Sequence, residues 1–166
     1  ATDVGPNDTL TYAVDCDSDG TDDASGAGGP FTCTYADSGM YTATVTVEDG
    51  DGGTARGVTT VRVRNLAPEI SAFAGTDVDE GNATTLTASA TDAGGDDVTY
   101  EWDIDGDGVY DATTSTGSLQ RVYPTDGDKT VGLRVCDAEG ACDTDTTTLT
   151  VGNVAPVLSN VSVHST

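Results

Sequence analysis

The feature that most constrains this chain is that it nearly repeats itself. One constant offset carries Asp15-Cys16-Asp17-Ser18-Asp19-Gly20 onto Asp103-Ile104-Asp105-Gly106-Asp107-Gly108 and Tyr35 onto Tyr123. The same offset carries Val45 and Val47 onto Leu133 and Val135, Asp49 onto Asp137, and Val63 onto Val151. The connector Asn65-Leu66-Ala67-Pro68 returns as Asn153-Val154-Ala155-Pro156. A period of roughly ninety residues is the length of a small domain, so the chain is read as tandem domains. Residues 1–65 form a repeat that lacks its first strands, 66–153 a complete repeat, and 154–166 the opening strand of a further repeat or a donor strand. The counterpart of about Leu66 to Ser89 is missing from the first repeat.

Both repeats read as β structure. In Thr42-Ala43-Thr44-Val45-Thr46-Val47 the apolar residues fall on alternate positions, and Val131, Leu133 and Val135 repeat the pattern. A period of two with β-branched residues marks half-buried strands. The glycine-rich turns Glu48-Asp49-Gly50-Asp51-Gly52-Gly53 and Asp137-Ala138-Glu139-Gly140 are placed to join neighbouring strands as hairpins. No segment shows a convincing helical period. The expected fold class is all-β, as tandem immunoglobulin-like antiparallel sandwiches.

The two acidic loops carry the chemistry. Each places carboxylates at its first, third, fifth and ninth positions, with glycine at the sixth: Asp15, Asp17, Asp19 and Asp23 in one, Asp103, Asp105, Asp107 and Asp111 in the other. Like charges so close repel unless a cation sits among them, and oxygen ligands at alternate positions around a glycine turn suit Ca2+. The seventh residue, Thr21 or Val109, would offer its carbonyl. The twelfth position is Gly26 or Thr114 rather than the glutamate of an EF-hand, and no helices flank the loops. Remaining ligands would come from elsewhere in the chain or from water. Asp77, Asp79, Glu80, Asp92, Asp96 and Asp97 form a second acidic group near an expected domain junction, read as ordinary turn residues in preference to ion ligands.

The charge balance narrows the partners. Asp and Glu number 29 against 6 Lys and Arg, a net charge of -23. Such a surface repels phosphates, so neither nucleic acid nor an anionic membrane is an expected partner. No apolar run approaches the ~20 residues needed to span a bilayer. A first residue of Ala1 rather than methionine fits a processed product or a fragment.

The stretch Tyr100-Glu101-Trp102-Asp103-Ile104-Asp105-Gly106-Asp107-Gly108 resembles the strand-and-turn signature of PKD domains, the immunoglobulin-like modules named after polycystic kidney disease protein. The Asn-x-Ala-Pro connectors, the Ala90-Thr91-Asp92 preceding the tyrosine strand, and Tyr123 with Gly127 are similar to the same family. The resemblance implies an extracellular or cell-surface β-sandwich used in tandem for adhesion, spacing or surface structure, without catalysis. The first repeat departs from it by carrying Val14 where the second has Trp102. That loses aromatic burial which a cross-link could partly offset.

The four cysteines are paired by repeat: Cys16 and Cys33 in the first, Cys136 and Cys142 in the second, each pair without a counterpart in the other. Four cysteines allow three connectivities, of which 16–33 with 136–142 is favoured. Zinc is disfavoured by the spacing and by the lack of clustered histidine. Disulfides place the chain in an oxidising, extracellular compartment.

Function follows as a calcium-stabilised structural repeat of an extracellular fibre or cell-surface protein, stacked end to end. Copies meet head to tail, either as a covalent tandem array or through donation of strand 154–166 to the incomplete repeat of the next copy. The alternative is a carbohydrate- or protein-binding adhesion module appended to a secreted enzyme or adhesin, with a glycan or a surface protein as partner. The single histidine, His164, lies in the tail, which argues against a Ser-His-Asp or Cys-His site within a repeat, and no enzyme activity is expected. Sequons at Asn7, Asn82 and Asn160 would accept glycans in a secreted chain.

Overall fold

Alternating apolar residues give strands and glycine-rich acidic stretches give turns, and no helix interrupts them among the described residues. The structure is a computed structural model that describes residues 1–2 and 8–159. The sequons at Asn7 and Asn160, His164 and the 160–166 end of the candidate donor strand lie outside those residues. Twelve strands are described: β1 (Thr11–Asp15), β2 (Ala24–Gly26), β3 (Gly39–Glu48), β4 (Thr54–Val63), β5 (Glu69–Gly75), β6 (Val78–Asp79), β7 (Ala83–Thr91), β8 (Thr99–Asp103), β9 (Ala112–Thr114), β10 (Ser118–Val122), β11 (Gly127–Cys136) and β12 (Cys142–Gly152). They fall into two units that divide between Asn65 and Leu66.

The C-terminal unit is a two-layer sandwich. A three-stranded sheet ordered β10-β7-β5 faces a five-stranded sheet ordered β6-β12-β11-β8-β9. All pairings are antiparallel except the short β6, which runs parallel to β12 through Val78↔Val151. The two-residue period of β8, β11 and β12 sends Tyr100, Trp102, Val131, Leu133, Val135, Leu149 and Val151 inward. Leu86, Ile70, Phe73 and Leu119 meet them from the other layer. Trp102 is 0% exposed. Its indole nitrogen donates to Thr114 Oγ1 at 2.9 Å and its ring takes the edge of Phe73 at 6.0 Å, so its one polar atom is satisfied inside the core. Each such large apolar side chain contributes about 1.5–3 kcal/mol on burial.

The N-terminal unit is one sheet, ordered β2-β1-β3-β4. Its pairing copies the five-stranded sheet residue for residue: Val14↔Val45 in β1–β3 corresponds to Trp102↔Leu133 in β8–β11. The hairpin closes at Glu48↔Thr54 where the other closes at Cys136↔Cys142. Among the described residues, nothing corresponds to β5, β6 or β7, and segment 30–34, the counterpart of β10, is not a strand. Among the described residues, the N-terminal unit therefore has no strand of an opposing layer. Part of the face is covered by the loop after β2, which sets Phe31 beside Tyr12 at 6.2 Å and Tyr35 beside Tyr41 at 4.3 Å between ring centres. Val14 and Val47 are buried, but Ala43, Val45, Val61 and Val63 stay half-exposed.

Candidate metal centres in the two acidic loops

Both acidic loops leave the sheet at the end of a strand, β1 in one unit and β8 in the other, and return to it through a backbone bond. Asp23 N donates to Val14 O at 2.8 Å and Asp111 N to Trp102 O at 2.7 Å. Between those points the loops share most of their hydrogen bonds, the second adding Asp107 N to Asp103 at 3.2 Å. Asp15 accepts Ser18 N (2.6 Å) and Gly20 N (3.1 Å) on its two oxygens, and Asp103 accepts Gly106 N (2.8 Å) and Gly108 N (2.9 Å). Asp19 accepts Thr21 N and Asp107 accepts Val109 N, each at 2.7 Å. Asp23 accepts Cys16 N at 2.7 Å and Asp111 accepts Ile104 N at 2.8 Å. Backbone amides thus offset part of the carboxylate repulsion that the sequence pattern assigns wholly to a cation.

The turn itself needs backbone in the left-handed region. Gly20 and Gly108 sit at φ of 91° and 88°, which glycine adopts without a Cβ penalty. Two residues earlier Gly106 has φ 73° while its counterpart Ser18 has φ 64°. Ser18 gains a compensating bond there, its hydroxyl donating to Thr42 O at 2.7 Å.

The aspartates do not all converge. One carboxylate oxygen from each of Asp15, Asp17 and Asp19 lies within 4.8 Å of the others, and so does one from each of Asp103, Asp105 and Asp111. Asp23 and Asp107 fall outside these clusters, although they accept the amides of Cys16 and Val109 just as their counterparts Asp111 and Asp19, which lie inside, accept those of Ile104 and Thr21. Thr21 and Val109 donate their own amides to Asp19 and Asp107, and the Val109 side chain is exposed. Three carboxylate oxygens within that span fit the ligand spacing of a hard cation such as Ca2+.

A tyrosine strap fastens each loop from behind. Tyr123 donates its hydroxyl to Ile104 O at 3.1 Å, and Tyr35 donates to Cys16 O at 3.0 Å. Burial pushes the Tyr123 phenol above its ordinary value of 10.0; Arg121 opposes this, and Asp105 and Asp111 add to it. The constant offset between Tyr35 and Tyr123 was the available signal.

The cysteines pair as Cys16–Cys33 and Cys136–Cys142. Cys16 lies between the first two loop aspartates with its side chain buried, so the first bridge ties the acidic loop to the segment that stands where β10 would be. Beside that bridge a cavity of about 450 Å³ is lined by Asp17, Asp23, Thr34, Tyr35, Asp37 and Tyr41, among others.

The junction acids serve as hydrogen-bond acceptors. Asp77 takes Thr150 N at 2.8 Å, Glu80 takes Val154 N at 3.0 Å, and Asp92 takes Gly94 N at 2.7 Å. Glu80 N in turn donates to Gly152 O at 2.8 Å, so the exit from the C-terminal unit is fastened on both sides.

The family model of the PKD domain matches residues 65–151. Among solved structures, the PKD1 domain of Epp from Vibrio anguillarum is 25% identical, covers 55% of this chain and 100% of its own, and has a TM-score of 0.43. The PKD domain of an M14-like peptidase from a Thermoplasmatales archaeon is 20% identical over 54% of this chain and 99% of its own, with a TM-score of 0.43. The fibronectin(III)-like modules of CbhA from Clostridium thermocellum are 18% identical over 98% of this chain and 88% of their own, with a TM-score of 0.47. No curated protein sequence matches the chain.

Proposed function

The chain belongs to the PKD domain family, and from that premise we propose that it is a calcium-stabilised structural module of an extracellular fibre or cell-surface protein, with units joined end to end. The observation that carries the reading is the doubled loop: two acidic turns, alike in their hydrogen bonds, each bringing three carboxylate oxygens within 4.8 Å. Asp15, Asp17 and Asp19 would hold one ion and Asp103, Asp105 and Asp111 another. Each ion would neutralise charge on a molecule of net charge -23 and stiffen the loop at the end of a strand. Two disulfides support an oxidising location outside the cytosol. The repeated Asn-x-Ala-Pro connector supports units that follow one another along the chain.

Calcium titration of chelator-stripped protein at fixed ionic strength tests this. An ion bound only by the folded state at a concentration of about 100 times its Kd stabilises by about 2.7 kcal/mol, which raises the Tm of a unit of this size by roughly 10–20 °C. Asp105→Asn and Asp17→Asn each remove one site's response while leaving the fold in place. A melt that is identical in calcium and in excess chelator at the same ionic strength sinks the calcium reading. A glycan-binding adhesion module is the second reading, favoured by the polar cavity beside Tyr35 and Tyr41. A glycan array with no hits removes it.

A further inference from the structure

The β11–β12 hairpin carries a disulfide that the equivalent β3–β4 hairpin does without. Cys136 and Cys142 are register partners at the mouth of the turn, where β3 and β4 set Glu48 opposite Thr54. The two turns are held alike. Asp137 N donates to Ala141 O at 3.0 Å and Asp49 N to Gly53 O at 3.2 Å. One oxygen of Asp137 accepts Glu139 N and Ala141 N, both at 2.9 Å, and one oxygen of Asp49 accepts Asp51 N at 2.9 Å and Gly53 N at 2.8 Å. Behind each turn runs a ladder of ten register pairs. A hairpin that closes in the same register with Glu48 and Thr54 shows that the shape of this element does not depend on a cross-link. The Cys136–Cys142 bond is therefore free to open without taking the hairpin with it.

The two bridges also differ in access. Cys16 is buried and Cys33 half-buried, whereas Cys136 is half-buried and Cys142 exposed. Exchange requires a thiolate to reach one of the two sulfurs, so exposure decides which bridge reacts first. The charge around the exposed bridge is negative. Glu101 Oε2 lies 3.9 Å from Cys136 Sγ, Asp137 and Asp143 adjoin the two cysteines in sequence, and Glu139 stands in the turn between them. Arg134, beside them on the same face, is engaged by Glu101 and by the Tyr110 ring. Such surroundings repel an anionic thiolate and draw in a thiol that carries positive charge.

We propose that Cys136–Cys142 is a thiol-exchange site, at which a cationic thiol attaches covalently to the folded C-terminal unit through Cys142. The incoming thiolate attacks Cys142 Sγ. A new sulfur–sulfur bond forms as the Cys136–Cys142 bond breaks, and the bonding pair leaves with Cys136 Sγ, which takes a proton from water. One disulfide replaces another, so the attachment needs no oxidant. A second thiol of the same kind removes the first as its own disulfide, and the two cysteines are then both reduced. The proposal goes beyond the structural-module reading and holds with or without a bound ion.

The test exposes the folded full chain, in excess chelator, to cysteamine as the cationic thiol and to glutathione as the anionic one, with rates scaled to thiolate concentration. Aliquots are quenched in acid, alkylated and mapped by peptide mass spectrometry. The expected result is an adduct on Cys142 with a free thiol at Cys136, appearing at least about tenfold faster than any opening of Cys16–Cys33. The far-UV circular dichroism and the hydrogen-exchange protection of β11 and β12 stay as they were. Cysteamine reacts several-fold faster than glutathione at low salt, and the gap closes at about 1 M salt, where charges are screened beyond about 3 Å. Opening of both bridges at one rate overturns the proposal, and so does opening of Cys136–Cys142 only in urea that unfolds the unit. An adduct confined to Cys136, or glutathione as fast as cysteamine at low salt, overturns it as well.

Discussion

The two units share a sheet but not a sandwich, and the contrast separates what local sequence encodes from what a second layer supplies. In both units the tyrosine strap and the β3–β4 or β11–β12 hairpin have the same hydrogen bonds, and the acidic loops share most of theirs. The loop bonds close over a few residues, the hairpin along one ladder and the strap across 19 residues, all within one unit, so each unit builds them without help. Burial differs. Val131, Val135 and Leu133 are 0–1% exposed beneath the three-stranded layer, whereas Ala43, Val45, Val61 and Val63 of the N-terminal sheet remain half-exposed. Sheet geometry is thus locally legible, and core formation is not.

The largest expected effect is at the tryptophan. Trp102→Ala removes a fully buried side chain from beneath Phe73 and is expected to cost about 3–5 kcal/mol. Val14→Ala, at the matching position, is expected to cost about 1 kcal/mol, since a face without a lid leaves little cavity behind. Urea unfolding followed for each unit measures both. Equal costs at the two positions would mean that the N-terminal face is covered as thoroughly as the C-terminal one.

Next come the cross-links. Separating Cys16 from Cys33, 17 residues apart, removes about 3 kcal/mol of loop constraint, against about 2 kcal/mol for the 6-residue separation of Cys136 and Cys142. The double substitution Cys16→Ser with Cys33→Ser is expected to unfold the N-terminal unit outright, because little apolar burial remains to hold it. Cys136→Ser with Cys142→Ser leaves the C-terminal unit folded with a lower Tm. Circular dichroism melts of the two variants check the order, and a robust N-terminal unit after loss of its bridge would break the comparison.

A third contrast lies at Gly117 and its counterpart Gly29. A Cβ at Gly117 would stand 2.0 Å from Ala88 O, inside the ladder that holds the three-stranded layer, whereas one at Gly29 meets the Phe31 side chain at 3.2 Å. Gly117→Ala is expected to destabilise by about 1–3 kcal/mol, since backbone must move. Gly29→Ala is expected to cost less, about 1 kcal/mol, since the Phe31 ring can turn aside and the Phe31 amide nitrogen at 3.3 Å need give only slightly. Chemical denaturation of both variants gives the ratio.

How far the sequence could be read follows the same division. The period of two in Val131-Gly132-Leu133-Arg134-Val135 and the punctuation at Asp137 to Gly140 identify the β11–β12 hairpin without a structure, because both signals sit inside the element they specify. The pairing of Cys16 with Cys33 was legible from the way each cysteine pair is confined to one repeat. Within the loops, the alternation of aspartates marks the turn but not which carboxylates converge. Asp111 joins Asp103 and Asp105, yet Asp23 does not join Asp15 and Asp17, and that difference lies in side-chain placement that spacing leaves free. The short parallel β6 escaped notice because two residues carry no period. Arg134 over the Tyr110 ring at 4.3 Å escaped it as well, since the contact spans the acidic loop and β11.

The smallest expected effect concerns the strap. Tyr123→Phe keeps the ring and deletes the bond to Ile104 O, which is expected to cost about 1 kcal/mol, or somewhat more if that carbonyl is left without another donor. Tyr35→Phe, whose bond to Cys16 O is only partly buried, should cost less because water can replace the hydroxyl. The Tyr123 phenol also links stability to alkaline pH. Folding raises its pKa above 10.0 chiefly by burial, so the folded state holds the proton more tightly than the unfolded chain does. Its contribution is fully present below about pH 10 and is lost as pH climbs through the folded value, so the C-terminal unit should lose stability on that climb. In Tyr123→Phe this part of the alkaline decline is absent. Absorbance titration of the tyrosinates, with denaturant melts at matched pH, follows both. A phenol that titrates with the exposed tyrosines would place water behind the second loop, and the two straps would then differ only in the strand layer that lies over one of them.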